Sequence, residues 1–396
     1  MAQALSGIKV IDLTRVLAGP FATQILADHG AHVIKIEPPQ GDETRQWGPP
    51  FNKNGDASYF LGANRNKQSI SIDLSHPQGQ QILFDLLKKA DVLIENFKTG
   101  TLKKWGLDYE TILQKKFPKL IHCSITGFGE KGPFAHKVGY DAVAQALTGV
   151  TSINGIPGQE TFRLAIPIID LSNGLFATIG VLLALQEREK SGKGQSVSTN
   201  LYDSGLSILY PQAINYLTGK KEQKPVGNAH PNICPYSQFH TKTGAIFIGC
   251  GNDKQFLKLC EELGKPDIAH NPKYKTNADR LQHKEDLLHE LQMLLIHHDA
   301  QELSLKLLDM GIPAGKVSTV SQVINHPQTT ANQMIVSLED YQGVASPIHL
   351  SRTEAQYHTT PPCFSHDTQN VLEALGYDQE KIIQLTQEKI IFSQKC

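Results

Sequence analysis

The feature that most restricts this chain is a regular alternation of short apolar runs with helical segments between Ile8 and Ile125. Residues 8–13 read as a strand, 20–28 as a helix opened by Gly19-Pro20 and closed by Gly30, and 31–36 as a second strand. The pattern recurs with a strand at 68–73, a helix at 77–89 and a strand at 92–95. It returns once more with the helical stretch 109–116 and the strand 120–125. Apolar strands that alternate with helices predict an α/β fold, with a Rossmann-like, mostly parallel sheet covered on both faces.

Residues 171–188 are apolar nearly all the way round, which predicts a buried helix. Small residues three or four apart on it (Gly174, Ala177, Gly180 and Ala184) allow another backbone or a flat ligand to come close. Tight helix packing is the simpler account. After Tyr216 the texture changes. A linker at 220–225 leads to a hairpin at 236–250 and to helices at 253–263 and 277–297. The expected organisation is therefore a large domain over 1–218, a smaller α+β domain over 219–327, and a return to the large domain over 328–396. A chain of 396 residues exceeds what a single core of roughly 250–300 residues normally serves.

Composition excludes several classes of function. Lys and Arg number 38 against 39 Asp and Glu, a formal net charge of −1, so no basic face for nucleic acid or an anionic membrane is expected. The longest apolar run, 174–185, is too short for a bilayer, which takes about 18 residues or more, and no leader pattern is visible. The six cysteines (Cys123, Cys234, Cys250, Cys260, Cys363 and Cys396) form no CxxC pair. That sparse usage implies a reducing, cytoplasmic setting with neither a metal nor a disulfide framework.

Walker A, HExxH and GxSxG are absent, which removes the commoner signatures of phosphoryl transfer, zinc hydrolysis and serine hydrolysis. Residues 127–132 match GxGxxG after a strand. Pro133 follows, however, and no helix starts within the motif, so a dinucleotide site is not supported. Arg65, Lys67, Lys98, Lys103, Lys104 and Lys137 recur near predicted strand ends, where an anionic ligand of an open α/β sheet binds. Solvated surface lysines are the plainer account of each. Asp170 follows the apolar run 165–169 and opens the long helix. An Asp there is ordinarily an N-cap, yet the same position suits an anionic nucleophile held by backbone N–H groups and ionised at an ordinary pKa of about 3.9. The residues alone leave both open.

Several segments together resemble one known family. They are 7–20, 30–37 with Gly41-Asp42, Asn64-Arg65-Asn66-Lys67, 91–97, Gly127-Phe128-Gly129, Gly139-Tyr140-Asp141, 192–195, 274–277, 311–317, Pro361-Pro362 and 371–377. In order along nearly the whole chain, they are similar to the class III CoA-transferases, which include formyl-CoA and carnitine CoA-transferases and a racemase relative. The resemblance implies a Rossmann-like large domain, a small domain and an interlocked homodimer. It also implies coenzyme A as substrate, no metal, and Asp170 as the nucleophile that forms anhydride and thioester intermediates. By the same resemblance, CoA contacts fall on Val16 and Ala18; on Ile72, Asp73, Leu74 and Ser75; and on Asn96, Phe97, Lys98, Lys104, Lys137 and Tyr140. The oxyanion donors fall on the loop of Gly127, Phe128 and Gly129 or at the start of the long helix.

Pro38 stands where relatives carry an Arg, which removes one phosphate contact. Tyr140 replaces the His of the racemases and is a poor base, with an ordinary pKa of about 10. Leu17 replaces the Gln of the oxalate enzymes. The stretches 227–236 and 249–256 resemble the dicarboxylate-handling branch, which implies succinyl-CoA as donor and an acid such as glutarate as acceptor. Arg45, Arg163 and His230 are candidates for the distal carboxylate. A racemase or isomerase, and a non-catalytic acyl-CoA-binding protein, are the competing functions.

Overall fold

The computed structural model describes residues 2–393. They divide into two compact units. The first comprises residues up to Val150, Arg163–Gly219 and the chain from Gln328 onward; the second comprises Thr151–Phe162 and Lys220–Pro327.

In the first unit six strands, β1 (Lys9–Asp12), β2 (His32–Glu37), β3 (Lys67–Ile72), β4 (Val92–Glu95), β5 (Ile121–Thr126) and β6 (Ser196–Asn200), run parallel in the order β3-β2-β1-β4-β5-β6. The strand Ile391–Phe392 pairs antiparallel with the outer edge of β3. The α/β architecture expected from the alternation is thus present, with a seven-stranded and mostly parallel sheet. Alternate residues feed two cores. Ile11, Ile34, Ile70 and Leu93 face the helices Pro77–Leu87 and Thr368–Ala374. Val10, Val33, Val92 and Ile121 face the helices Ala18–Asp28 and Ile168–Ser191. Strand order reverses between β1 and β4, and in open α/β sheets ligands bind beyond the carboxyl ends of the strands at such a point.

The long helix differs from its expectation in two respects. It runs over Ile168–Ser191 rather than 171–188, and only one side is buried. Ala177, Val181, Ala184 and Leu185 pack in the core, while Leu175, Ile179, Leu182 and Leu183 (66% exposed) form an open apolar face. An apolar composition cannot say which side its own unit covers. Among the described residues this is the helix long and apolar enough to cross a membrane by length and composition, a test that a core helix also passes. The small residues on it serve packing. A Cβ at Gly174 would lie 2.6 Å from the Ala18 carbonyl, and one at Gly180 would lie 2.5 Å from Val197.

The second unit holds an antiparallel sheet of Tyr236–Thr241, Gly244–Gly249 and Ala314–Lys316. Phe239, Ile246, Phe256, Leu291 and Leu307 lie in its core. The single helix expected over 277–297 is two, Asn277–Gln282 and Lys284–Leu295, broken at His283. Cys123, Cys234, Cys250 and Cys260 are buried free thiols. Cys363 is disulfide-bonded, so the expectation drawn from cysteine spacing fails there, because spacing does not say which sulfurs a fold brings together. Cys396 lies outside the described residues.

Candidate active site

Beneath the switch point lies a buried charge network that supports the loop after β1. Asp12, at the end of that strand, accepts from Thr14 N (2.9 Å), Thr14 Oγ1 (2.5 Å) and Thr23 Oγ1 (2.6 Å), with Lys67 Nζ at 3.2 Å. Burial alone would raise its pKa, but Lys67, Lys35 and the two hydroxyls hold it below the ordinary value. Lys35 in turn donates to the Thr14 carbonyl (2.7 Å) and to Asp42 (3.0 Å). Every buried charge here has a partner, as removal from water requires.

The loop resting on this network is strained. Val16 has φ 67°, a left-handed conformation that a β-branched residue rarely adopts. Asn96, at the end of β4, holds the preceding residue from both sides. Its Oδ1 accepts from Arg15 N (3.0 Å), and its Nδ2 donates to the Arg15 carbonyl (2.7 Å). The expected CoA contact on Asn96 is therefore a side chain whose amide already positions the β1 loop.

A cleft of about 130 Å³ opens above these loops and gathers Val16, Ala18, Asn96, Phe97, Lys98, Gly127, Lys137, Tyr140 and Asp170. Other expected residues lie outside its lining. Ile72 and Leu74 are buried in the core, the Asp73 carboxylate accepts from Ser75 N and Oγ (2.9 and 2.6 Å), and Lys104 ends the short helix Thr101–Lys104. Phe128 and Gly129 follow the cleft residue Gly127, and the Gly129 N–H donates to Thr126 Oγ1 (2.9 Å). The glycines of the 127 and 139 loops meet directly. A Cβ on Gly139 would lie 2.7 Å from Gly127 Cα. This approach accounts for the first glycine of the GxGxxG match without a nucleotide.

Asp170 is not the N-cap of its helix. The helix begins two residues earlier, and Pro167 occupies the cap position without a capping side chain. The capping is done from outside by Asp141, the first residue of the helix Asp141–Leu147. Its Oδ1 accepts from Ile169 N (2.8 Å) and Asp170 N (3.2 Å). Its Oδ2 accepts from Gln145 Nε2 (2.6 Å). The backbone donors expected to hold Asp170 are thus occupied by another carboxylate. Among the described residues no hydrogen bond reaches the Asp170 carboxylate. Burial first, and the charge of Asp141 second, push its pKa up to about 7 rather than leaving it near 3.9. Asp141 was visible in the Gly139-Tyr140-Asp141 motif, but only its position opening a helix hinted at a role.

Of the basic candidates, three are taken by buried ion pairs. Arg45 grips Glu37 with Nε (2.8 Å) and Nη2 (2.6 Å), holds Asp56 (2.8 Å) and lies 3.6 Å over the Phe60 ring. Arg65 pairs with Asp28 (2.6 Å), and Lys67, which begins β3 rather than ending it, pairs with Asp12. These two are not free for an anionic ligand, and Arg45 is not free for a distal carboxylate. Arg163 is exposed and donates to the carbonyls of Leu164 and Ala165. His230, in the second unit, accepts from Asn232 N (3.0 Å).

The site thus holds a buried carboxyl without a hydrogen-bond donor among the described residues, in a cleft at the switch point of a parallel sheet. The chain belongs to CoA-transferase family III, whose model matches residues 5–368. It is an enzyme of that class, and CoA-transferases take CoA thioesters and carboxylic acids as substrates. A mouse succinyl-CoA:glutarate CoA-transferase is 39% identical over 394 residues, covering 97% of this chain and 89% of the relative. A succinate–glutarate CoA-transferase of Agrobacterium fabrum is 39% identical over 382 residues, covering 94% and 95%. The crystal structure of a CAIB/BAIF family protein from Brucella suis superposes with a TM-score of 0.86 at 38% identity, covering 95% of this chain and 100% of that one.

Proposed function

We propose that this chain moves CoA from succinyl-CoA to a dicarboxylic acid such as glutarate, with Asp170 as the nucleophile. The observation that carries the reading is the Asp170 carboxyl, which is buried in the cleft without a hydrogen-bond partner among the described residues, its pKa pushed up to about 7 by burial and by Asp141. An Asp170 oxygen attacks the thioester carbonyl, the C–S bond breaks, and CoA leaves as thiolate from an aspartyl–succinyl anhydride. The thiolate attacks the aspartyl carbonyl, releasing succinate and leaving an aspartyl–CoA thioester. The acceptor carboxylate displaces CoA from that thioester, and the returning thiolate takes the new acyl group and frees Asp170. The proposed donors to the developing oxyanion are backbone N–H groups of the loop Gly127 to Gly129. Val16, Ala18, Phe97, Lys98, Lys137 and Tyr140 border the CoA path, with Asn96 holding its loop. Outer contacts come from Lys104 and, largely through the backbone because the Ile72 and Leu74 side chains are buried, from residues Ile72 to Ser75. The relatives named for succinyl-CoA and glutarate support the choice of acids. We further propose a homodimer, interlocked as the family resemblance implies and working in the cytoplasm; the open apolar face of the long helix supports association of two copies.

The test is mass spectrometry of CoA esters after mixing the protein with succinyl-CoA and glutarate, hydroxymethylglutarate, oxalate, formate or carnitine. Asp170→Ala is run alongside. A glutaryl-CoA product that vanishes in the variant supports the reading. Exchange of the α-hydrogen with solvent without any acid, or no new ester despite CoA binding, overturns it.

A further inference from the structure

We infer that Asp141 is a positioning residue for the covalent step. It takes the first-turn N–H groups of the long helix onto its own carboxylate and presents a like charge to Asp170, so that the ionised nucleophile is disfavoured against its uncharged acylated forms. The inference rests on Asp170 as nucleophile. The N–H groups in the first turn of a helix ordinarily steady a carboxylate placed there. Here those of Ile169 and Asp170 are bonded to Asp141 Oδ1, and the Leu171 N–H is bonded to the Pro167 carbonyl. Gln145, fully buried, fixes Asp141 by donating to Oδ2, and is itself fixed by the Leu164 N–H on its Oε1 (2.8 Å). The second carboxylate is therefore built in and cannot swing away. Tyr59 reports the same closeness, since burial and then both Asp170 and Asp141 raise its phenol.

The consequence follows from where the charge goes. When Asp170 attacks the thioester, its negative charge leaves on the CoA sulfur, and the anhydride oxygen that replaces it is neutral. The repulsion between the two carboxylates is present in the resting enzyme and is lost in the anhydride, where the charge has moved to the CoA thiolate, and in the aspartyl–CoA thioester, where it has left on succinate. Asp141 thus tilts the balance toward both intermediates. The other charged and titratable groups around the cleft are Arg15, Glu43, Lys98, Lys137 and Tyr140, with Tyr59 beside the two carboxylates. None of them hydrogen-bonds the Asp170 carboxylate among the described residues.

Asp141→Asn keeps an acceptor oxygen for the two N–H groups, removes the charge and turns an amide N–H toward the Gln145 donor; Asp141→Ser removes the charge without that second donor should the first variant fail to fold. Two quantities are read: the acid limb of the pH–rate profile, and the covalently modified fraction found by intact mass after acid quench with saturating succinyl-CoA. The acid limb should move down by about one pH unit, and the modified fraction should fall roughly tenfold, with KM for succinyl-CoA changed less than about twofold. An unmoved acid limb with an unchanged modified fraction would make Asp141 a helix cap and nothing more. Peptide mapping of the wild-type adduct separates the two readings. An adduct away from Asp170 overturns the nucleophile assignment, whereas an adduct on Asp170 that is indifferent to Asp141 overturns only the role given to Asp141.

Discussion

Replacing Asp170 with Asn should make the folded protein more stable at alkaline pH while abolishing transfer. Burial and Asp141 raise this carboxyl from 3.8 to about 7. The sign follows from proton binding. Below the unfolded value both states hold the proton, and the group contributes no difference. Between 3.8 and about 7 the folded state keeps a proton that the unfolded chain has released, so stability falls as pH rises. Above about 7 the full penalty applies. At about 1.36 kcal/mol for each tenfold, the gap amounts to about 4 kcal/mol at pH 8 and about 1.6 kcal/mol at pH 5. The helix N-terminus favours an anion by about 0.3–1 kcal/mol and returns part of this. The gain from Asp170→Asn at pH 8 should therefore exceed the gain at pH 5 by about 2 kcal/mol. Urea unfolding at fixed protein concentration at the two pH values measures it. Equal effects at both, or an Asn variant less stable at pH 8, would refute the argument that the ionised carboxylate sits unsupported.

Two further substitutions test the scaffold. Gly139→Ala places a methyl 2.7 Å from Gly127 Cα, so one loop must move; stability should drop by about 1–3 kcal/mol and kcat/KM by tenfold or more, checked by thermal unfolding and steady-state assay. Arg45→Met leaves Glu37 and Asp56 without their cation, and should lower stability by about 3–5 kcal/mol while leaving the ratio of acceptor acids unchanged in a competition assay.

Much of this molecule was legible in its sequence, for a physical reason. Strand and helix periods are local, so the alternation from β1 to β5 predicted the parallel sheet and gave most strand boundaries to within one residue. Asp170 stood out because it ends an apolar run beside a long helix, and the resemblance assigned it the chemistry. What the tertiary structure alone decided was the pairing of polar groups. Asp141 caps a helix 28 residues further on, taking from Asp170 the donors that local pattern had given it. Asp28 neutralises Arg65 across 37 residues, and Arg45 is locked between Glu37 and Asp56. Hydrogen bonds and ion pairs depend on which atoms the folded backbone brings within about 3 Å, and residue period carries no trace of that distance. The same limit hid the open side of the long helix, because an apolar sequence records what should be covered and not what covers it.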